Sequence, residues 1–294
     1  MSSSSFNFSA ASVAELARAD ARRALQEDVG DGDLTAALVP AGKRAVARVI
    51  TRENAVLCGA PWVEAVLSQL APQARLSWHR AEGQHCEPNQ TVLTIEGDAR
   101  SLLTAERTSL NFLQMLSAVA TRTAQYVKAI EGTRARIVDT RKTLPGLRLA
   151  QKYAVGVGGG TNHRIGLYDA ILIKENHIAA AGGVAAALKA AAAAAPGAKF
   201  VQIEVETLAQ LDDALRHGAR MVLLDNMDLP TLREAVRRNE AAGDARAVLE
   251  ISGGVTIDTL RPLAETGVDR ISVGALTKDV KAIDFSMRFA EASA

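Results

Sequence analysis

From about residue 121 onward the chain repeats one pattern: a short apolar run, a polar residue or glycine where it ends, then an amphipathic helix. Apolar runs recur at 135–139, 170–174, 200–204, 221–225, 248–251 and 270–273. Helical periodicity fills gaps between them, as at 208–216, 232–239 and 259–266. A strand-plus-helix unit of roughly 20–35 residues predicts parallel βα units, because parallel strands need a long crossover connection. Six such runs fall short of the eight strands of a closed barrel, so an open, incomplete α/β barrel is expected.

Residues 12 to about 120 have a different texture. A helical stripe (Val13, Leu16, Ala17, Leu25) leads into the acidic turn Glu27-Asp28-Val29-Gly30-Asp31-Gly32-Asp33. Alternating runs near 45–51, 76–79 and 91–95 read as strands, with a helix near 62–70 and a longer helical pattern through 102–116. An α+β domain is expected over 1–120, ahead of the barrel at 121–294. The serine-rich residues 1–5 read as a frayed tail with no signal-peptide pattern. The Ala-rich stretch 184–195 is too short to span a bilayer, and a cytoplasmic protein is expected.

With 48% apolar and 23% charged residues and a net charge of +1, the chain has no broad basic face for nucleic acid or an anionic membrane. Cys58 and Cys86 show no metal-ligand spacing; a reducing compartment is the simplest reading, though a disulfide between them stays open.

Against that neutral background, Asp139-Thr140-Arg141-Lys142-Thr143-Leu144-Pro145-Gly146-Leu147-Arg148 and the nearby Asn162-His163-Arg164 crowd cations together. Like charges at this density repel unless an anion joins them. A solvated basic loop is the plainer alternative. The other strand ends are also functional types: Lys174, Glu204, Asp225, Ser252-Gly253-Gly254 and Gly274. Any one of these could be a helix cap. In α/β barrels, however, the carboxyl ends of the strands converge on one mouth, and all six ends behave alike.

Arginine matches planar carboxylates and phosphates through paired hydrogen bonds. Ser252, Gly253 and Gly254, and the later Val273-Gly274-Ala275, each precede a helical pattern and fit a phosphate cradle. Gly156–Gly160 follows a helix rather than a strand, which excludes a dinucleotide or Walker fingerprint and leaves a flexible loop. Glu204 and Asp225 could steady a developing positive charge or hold Mg²⁺ through water, with Glu206 a secondary candidate.

Taken in order, Asp139–Arg148, Asn162–Arg164, Ile173-Lys-Glu-Asn-His177, Glu204-Val-Glu206, Leu224-Asp-Asn-Met227 and Glu250-Ile-Ser-Gly-Gly254 resemble the quinolinate phosphoribosyltransferase family. The resemblance extends to Glu27-Asp28 through Thr35 and to Glu106–Asn111. It implies conversion of quinolinate and phosphoribosyl diphosphate to nicotinate mononucleotide, diphosphate and CO₂, with Mg²⁺, in NAD biosynthesis. It further implies an N-terminal α/β sandwich domain, the open barrel, and a C-terminal helix at about 278–294 packing back on the first domain. A homodimer or higher assembly is implied, with Arg107 acting in trans. Arg107, Arg141, His163, Arg164 and Lys174 would grip the quinolinate carboxylates. Thr140, Lys142, Ser252, Gly253, Gly254, Val273, Gly274 and Ala275 would line the remaining substrate site, with Lys142 reaching phosphoribosyl diphosphate. Lys142, Lys174, Glu204 and Asp225 would carry the chemistry, and Glu204 and Asp225 would face the metal. A nicotinate-specific transferase, a Schiff-base aldolase using Lys174 and a non-catalytic phosphate binder are the competing readings.

Overall fold

The structure, a computed structural model, describes residues 6–290, so the expected tail at 1–5 lies outside the described residues. Two compact units emerge. One comprises Gln125–Thr143 and Gly160–Ala275; the other comprises Phe6–Ala124, Leu144–Gly159 and the C-terminal segment from Leu276.

In the second unit, strands β1 (Arg44–Thr51), β3 (Arg75–Trp78), β5 (Thr91–Asp98) and β12 (Phe285–Phe289) form an antiparallel sheet in the order β12-β1-β5-β3. A two-residue pair, β2 (Ala55–Val56) and β4 (His85–Cys86), stands apart. Helices α1 (Ala10–Asp28) and α2 (Ala60–Leu70) pack together, and α3 (Ala99–Ala129) runs as one helix of 31 residues. Trp62, Leu57, Leu93, Ile95, Leu102 and Leu113 are fully buried and supply much of the core. Helix α4 (Arg148–Val157) also belongs to this unit.

Two expectations change here, at the C-terminal segment and at Gly156–Gly160. The C-terminal segment is not a helix: Phe285–Phe289 is a strand antiparallel to β1, with Phe285 opposite Thr51 and Phe289 opposite Ala47. The alternation Phe-Ser-Met-Arg-Phe has the period of a strand, and it outweighs the helix-favouring alanines beyond it. Residues 291–294 lie outside the described residues. The division expected at residue 120 falls inside α3, and the basic run is itself split between the units after Thr143. Gly156–Gly160 is not simply a flexible loop. Its first residues close α4, and Gly158 caps that helix where an added Cβ would lie 2.4 Å from the Ala120 carbonyl oxygen. Glycine is needed there for close packing.

In the first unit, strands β6 (Arg136–Val138), β7 (Ile171–Ile173), β8 (Val201–Val205), β9 (Met221–Asp225), β10 (Val248–Ser252) and β11 (Arg270–Ser272) are all parallel. Their order is β6-β11-β10-β9-β8-β7, an open six-stranded sheet and not a closed barrel. Helices α5 (Glu175–Ala181), α6 (Val184–Ala194), α7 (Leu208–Arg216), α8 (Leu229–Ala241) and α9 (Ile257–Ala264) follow the strands, and α10 (Ala275–Lys278) starts at the last residue of this unit. Several start promptly because the sequence supplies caps: Thr207 with Gln210 for α7, Asp228 for α8 and Thr256 with Thr259 for α9. Short strand-to-helix links keep the residues at the strand ends close to the sheet.

No single described helix is long and apolar enough to cross a membrane. Cys58 and Cys86 are both buried free thiols.

Candidate active site at the strand ends

Strand periodicity decides which side chains share a face. Gln202 and Glu204 on β8, Leu223 and Asp225 on β9, Glu250 and Ser252 on β10, and Arg270 and Ser272 on β11 fall on alternate positions of neighbouring parallel strands. The register sets Ser252 beside Asp225 and Glu204 beside Leu223, so the carboxylates and the serine cluster at the carboxyl ends.

Glu204 is buried and holds Lys174, with Nζ 3.1 Å from Oε2 and 3.4 Å from Oε1. Burial raises its carboxyl above the ordinary range; Lys174 opposes that rise, while Asp225 and Glu175 add to it. A half-exposed, ion-paired Lys174 is a poor Schiff-base nucleophile, which weakens the aldolase reading. Glu206 lies just past the end of β8, exposed, and its backbone N–H donates to Gln210; the structure does not bring it to Glu204.

Arg164 is buried, and burial lowers its pKa, with the neighbouring Arg141 adding repulsion and Asp169 opposing it. Repulsion between two guanidinium groups is what a bound anion would relieve. Asp139, fully buried at the end of β6, is no substrate group. It accepts the His163 backbone N–H and the Asn162 amide, each at 2.8 Å, and so ties the Asn162–Arg164 turn to the strand end. Asp169 does similar work from the other side by accepting the backbone N–H groups of Ile165 and Gly166 at 2.9 Å.

Thr140 and Lys142 come together with Gly274. Thr140 Oγ1 accepts the Lys142 N–H at 3.0 Å, and a Cβ on Gly274 would sit 3.0 Å from Lys142 Cδ. Val273 is buried beneath this contact, and Ala275 opens α10. Gly253 and Gly254 have φ of +104° and +57°, left-handed conformations that follow Ser252 directly. A Cβ on Gly253 would lie 2.2 Å from Asn226 Oδ1.

Asn226 escaped the sequence reading as a site residue. Its φ is +51°, its amide donates to Asp225 Oδ2 at 2.8 Å, and its N–H donates to the Ser252 carbonyl at 3.2 Å. It locks the acidic strand end to the glycine cradle. Gln202 and Glu250, both fully buried, lie inside their strands and not at the strand ends, where sequence alone points to chemistry. The signal was present as polar residues alternating with apolar ones in Val-Gln-Ile-Glu-Val and Val-Leu-Glu-Ile-Ser.

Arg107 belongs to the other unit. It is exposed on α3 and lines a cleft of about 490 Å³ with Asp28, Asp33, Leu34 and Thr104. Asp33 braces this cleft: it accepts the N–H groups of Ala36 and Thr35 and the Thr104 hydroxyl, which together hold its carboxyl below the usual range. Leu34 is 91% exposed at the cleft's edge.

The described residues contain no group of three or more His, Cys, Asp or Glu able to hold a metal. Glu204 with Asp225 is therefore a two-carboxylate set, the sort that holds Mg²⁺ only with help from water or substrate phosphates.

The family described as quinolinate phosphoribosyl transferase matches in two parts, its N-terminal domain over residues 33–117 and its C-terminal domain over 119–288. A nicotinate-nucleotide pyrophosphorylase (carboxylating) of Mycobacterium leprae is 43% identical over 93% of this chain and 97% of its own. A probable enzyme of the same name from Bacillus subtilis is 38% identical, with 89% of each chain covered. The solved nicotinate-nucleotide pyrophosphorylase of Francisella tularensis superposes with a TM-score of 0.89 at 42% identity, covering 94% of this chain and 97% of its own.

Proposed function

The chain belongs to the quinolinate phosphoribosyltransferase family, and on that premise we propose that its strand-end rim joins quinolinate to phosphoribosyl diphosphate. The products are nicotinate mononucleotide, diphosphate and CO₂, a step of NAD biosynthesis. The observation that carries the site assignment is Arg164, buried and repelled by the neighbouring Arg141, with Asp169 opposing that repulsion. Quinolinate is a dianion at neutral pH, and its two carboxylates offset that repulsion.

Arg141, Arg164 and Lys174 hold the carboxylates, with His163 supporting the turn and presenting its ring to the same substrate. Lys142 and the backbone of Ser252, Gly253, Gly254 and Gly274 receive the phosphates, while Thr140 keeps Lys142 in place. Glu204 and Asp225 face the ribose, where negative charge steadies the electron-poor carbon as diphosphate departs. The pyridine nitrogen attacks that carbon. The positive charge it acquires stabilises the electron pair left on the adjacent ring carbon as CO₂ departs, and that carbon then takes up one proton from water to give nicotinate mononucleotide. Positioning and electrostatics therefore carry the reaction, with little proton transfer asked of the protein.

The donor set fits Mg²⁺: Asp225 and Glu204 would hold it, together with substrate phosphates. Glu204 is already engaged by Lys174, which gives Asp225 the larger part. The metal supplies charge neutralisation at the leaving diphosphate. Arg107 acts in trans: a homodimer or higher assembly sets it beside the rim of a second copy, and the exposed Leu34 belongs to the covered surface. The enzyme works in the cytoplasm.

A steady-state assay with quinolinate, phosphoribosyl diphosphate and Mg²⁺ tests this reading. Nicotinate mononucleotide and CO₂ should appear in equal amounts, with nicotinate inert. Turnover of nicotinate alone assigns the rim to a monocarboxylate and overturns the proposal.

A further inference from the structure

Beneath the rim lies a chain of buried polar groups that the reaction as described does not use. Gln202 on β8 and Glu250 on β10 are both fully buried. Gln202 Nε2 donates to Glu250 Oε2 at 3.2 Å, and Gln202 Oε1 lies 2.7 Å from Nε2 of His163. Glu250 also accepts the Ser272 hydroxyl, and the Arg270 guanidinium stands 4.0 Å away as counter-charge. The His163 ring rests edge-on against Phe200, with centroids 5.1 Å apart.

Hydrogen-bond logic fixes the direction of this chain. A carboxylate only accepts, so the –NH₂ end of Gln202 must face Glu250. Its carbonyl end is then left facing His163, and a carbonyl also only accepts. His163 Nε2, which also lies 3.6 Å from Glu250 Oε1, must therefore carry a proton, and Nδ1 lies on the opposite edge of the ring.

We infer that Gln202 and Glu250 are positioning residues for the quinolinate site: they set the His163 tautomer and ring plane from below, without touching substrate. This rests on the reading that quinolinate meets His163. The logic parallels metal sites, where the partner of a histidine's remote nitrogen decides how the near one is presented. A core of apolar residues would fill the same volume without specifying which nitrogen carries the proton.

The test has two arms. In the first, ¹⁵N spectra of the ring nitrogens of the ligand-free wild-type chain, which has 5 histidines, identify the tautomer of His163. A protonated Nε2 is expected; a bare Nε2 with protonated Nδ1 overturns the inference. This arm needs no substrate, so it stands even if quinolinate proves not to be turned over. The second arm uses Glu250→Gln, whose amide can pair with Gln202 either way round and frees that side chain to flip. The His163 signals should then shift toward a mixture of tautomers. KM for quinolinate should rise about tenfold, the effect of one misdirected hydrogen bond. KM for phosphoribosyl diphosphate should stay within about twofold. An equal rise in both constants, or unchanged spectra and constants, would mean that the pair only fills the core. If the variant does not fold, the wild-type spectrum still decides.

Discussion

The two units bury acids in contrasting ways. In the unit built on the antiparallel sheet, the buried Asp20 and the half-buried Glu82 meet local donors and the network ends there. Glu82 accepts the N–H groups of Gly59 and Ala60 at the start of α2 at 2.8 and 3.0 Å, with the Cys58 thiol and Tyr153 beside it. Asp20 accepts the Trp62 indole N–H at 2.9 Å. Burial raises both carboxyls, and both serve to fix helices. In the parallel-sheet unit Asp139 and Asp169 likewise fix a turn, but Glu250 and Glu204 lie in rows that climb toward the strand ends, from Glu250 through Gln202 to His163 and from Glu204 to Lys174. Buried polarity that closes on itself holds a fold together. Buried polarity that leads to an open rim holds a site in shape, and it costs the fold stability.

The largest effect expected from this contrast joins the two units. Arg107→Ala and Glu204→Ala should each be inactive, whereas mixed dimers should regain about a quarter of wild-type activity, because half are hybrids with one intact site of two. Activity of subunits mixed after denaturation and refolding, with hybrids verified by mass, measures this. Verified hybrids without activity would place Arg107 in its own subunit's site or outside the reaction.

Next comes Glu204→Gln. It should lower kcat by about 10²–10³-fold, as loss of a transition-state electrostatic contact does, while raising Tm by about 1–3 °C near neutral pH. The sign follows from the raised pKa. The folded chain keeps this proton to higher pH than the unfolded chain does, so the stabilising contribution is complete below the ordinary carboxylate pKa and is lost as pH rises through the folded one. Thermal melts across pH should show that loss in the wild type and a flatter profile in the variant. A variant less stable than wild type at neutral pH would make Glu204 a structural acid like Glu82.

Gly158→Ala should destabilise the folded state by about 1–3 kcal/mol, because the new methyl meets a backbone carbonyl that cannot move aside easily. Urea unfolding measures it, and a neutral result would mean that the packing at α4 gives way. Smallest, Glu82→Ala should cost about 1–2 kcal/mol by stranding the N–H groups at the start of α2. Its kcat should match wild type at temperatures where it is folded. A drop in kcat without a drop in stability would erase the distinction between the units.

The same contrast explains what was legible from the sequence. The six strands of the parallel sheet were readable because buried parallel strands are short apolar runs. Lys174, Glu204, Asp225 and Ser252 announced themselves as polar residues ending them. Asn226 did not, since its role depends on a left-handed backbone at φ +51° and on reaching both Asp225 and Gly253. Gln202 and Glu250 were hidden because a polar residue inside a strand has meaning only once its neighbours across the sheet are known. Phe285–Phe289 was misread for a related reason. A single edge strand of this length is marginal alone, and only pairing with β1 makes it a strand. Gly158 read as flexibility until α3 supplied the carbonyl it must clear.

A crystal structure of the chain soaked with quinolinate addresses the central claim most directly. Its two carboxylates should lie against Arg141, Arg164 and Lys174, with the ring nitrogen turned toward the space between Glu204 and the Ser252–Gly254 cradle. Quinolinate bound elsewhere, with the strand-end rim empty, would contradict the account.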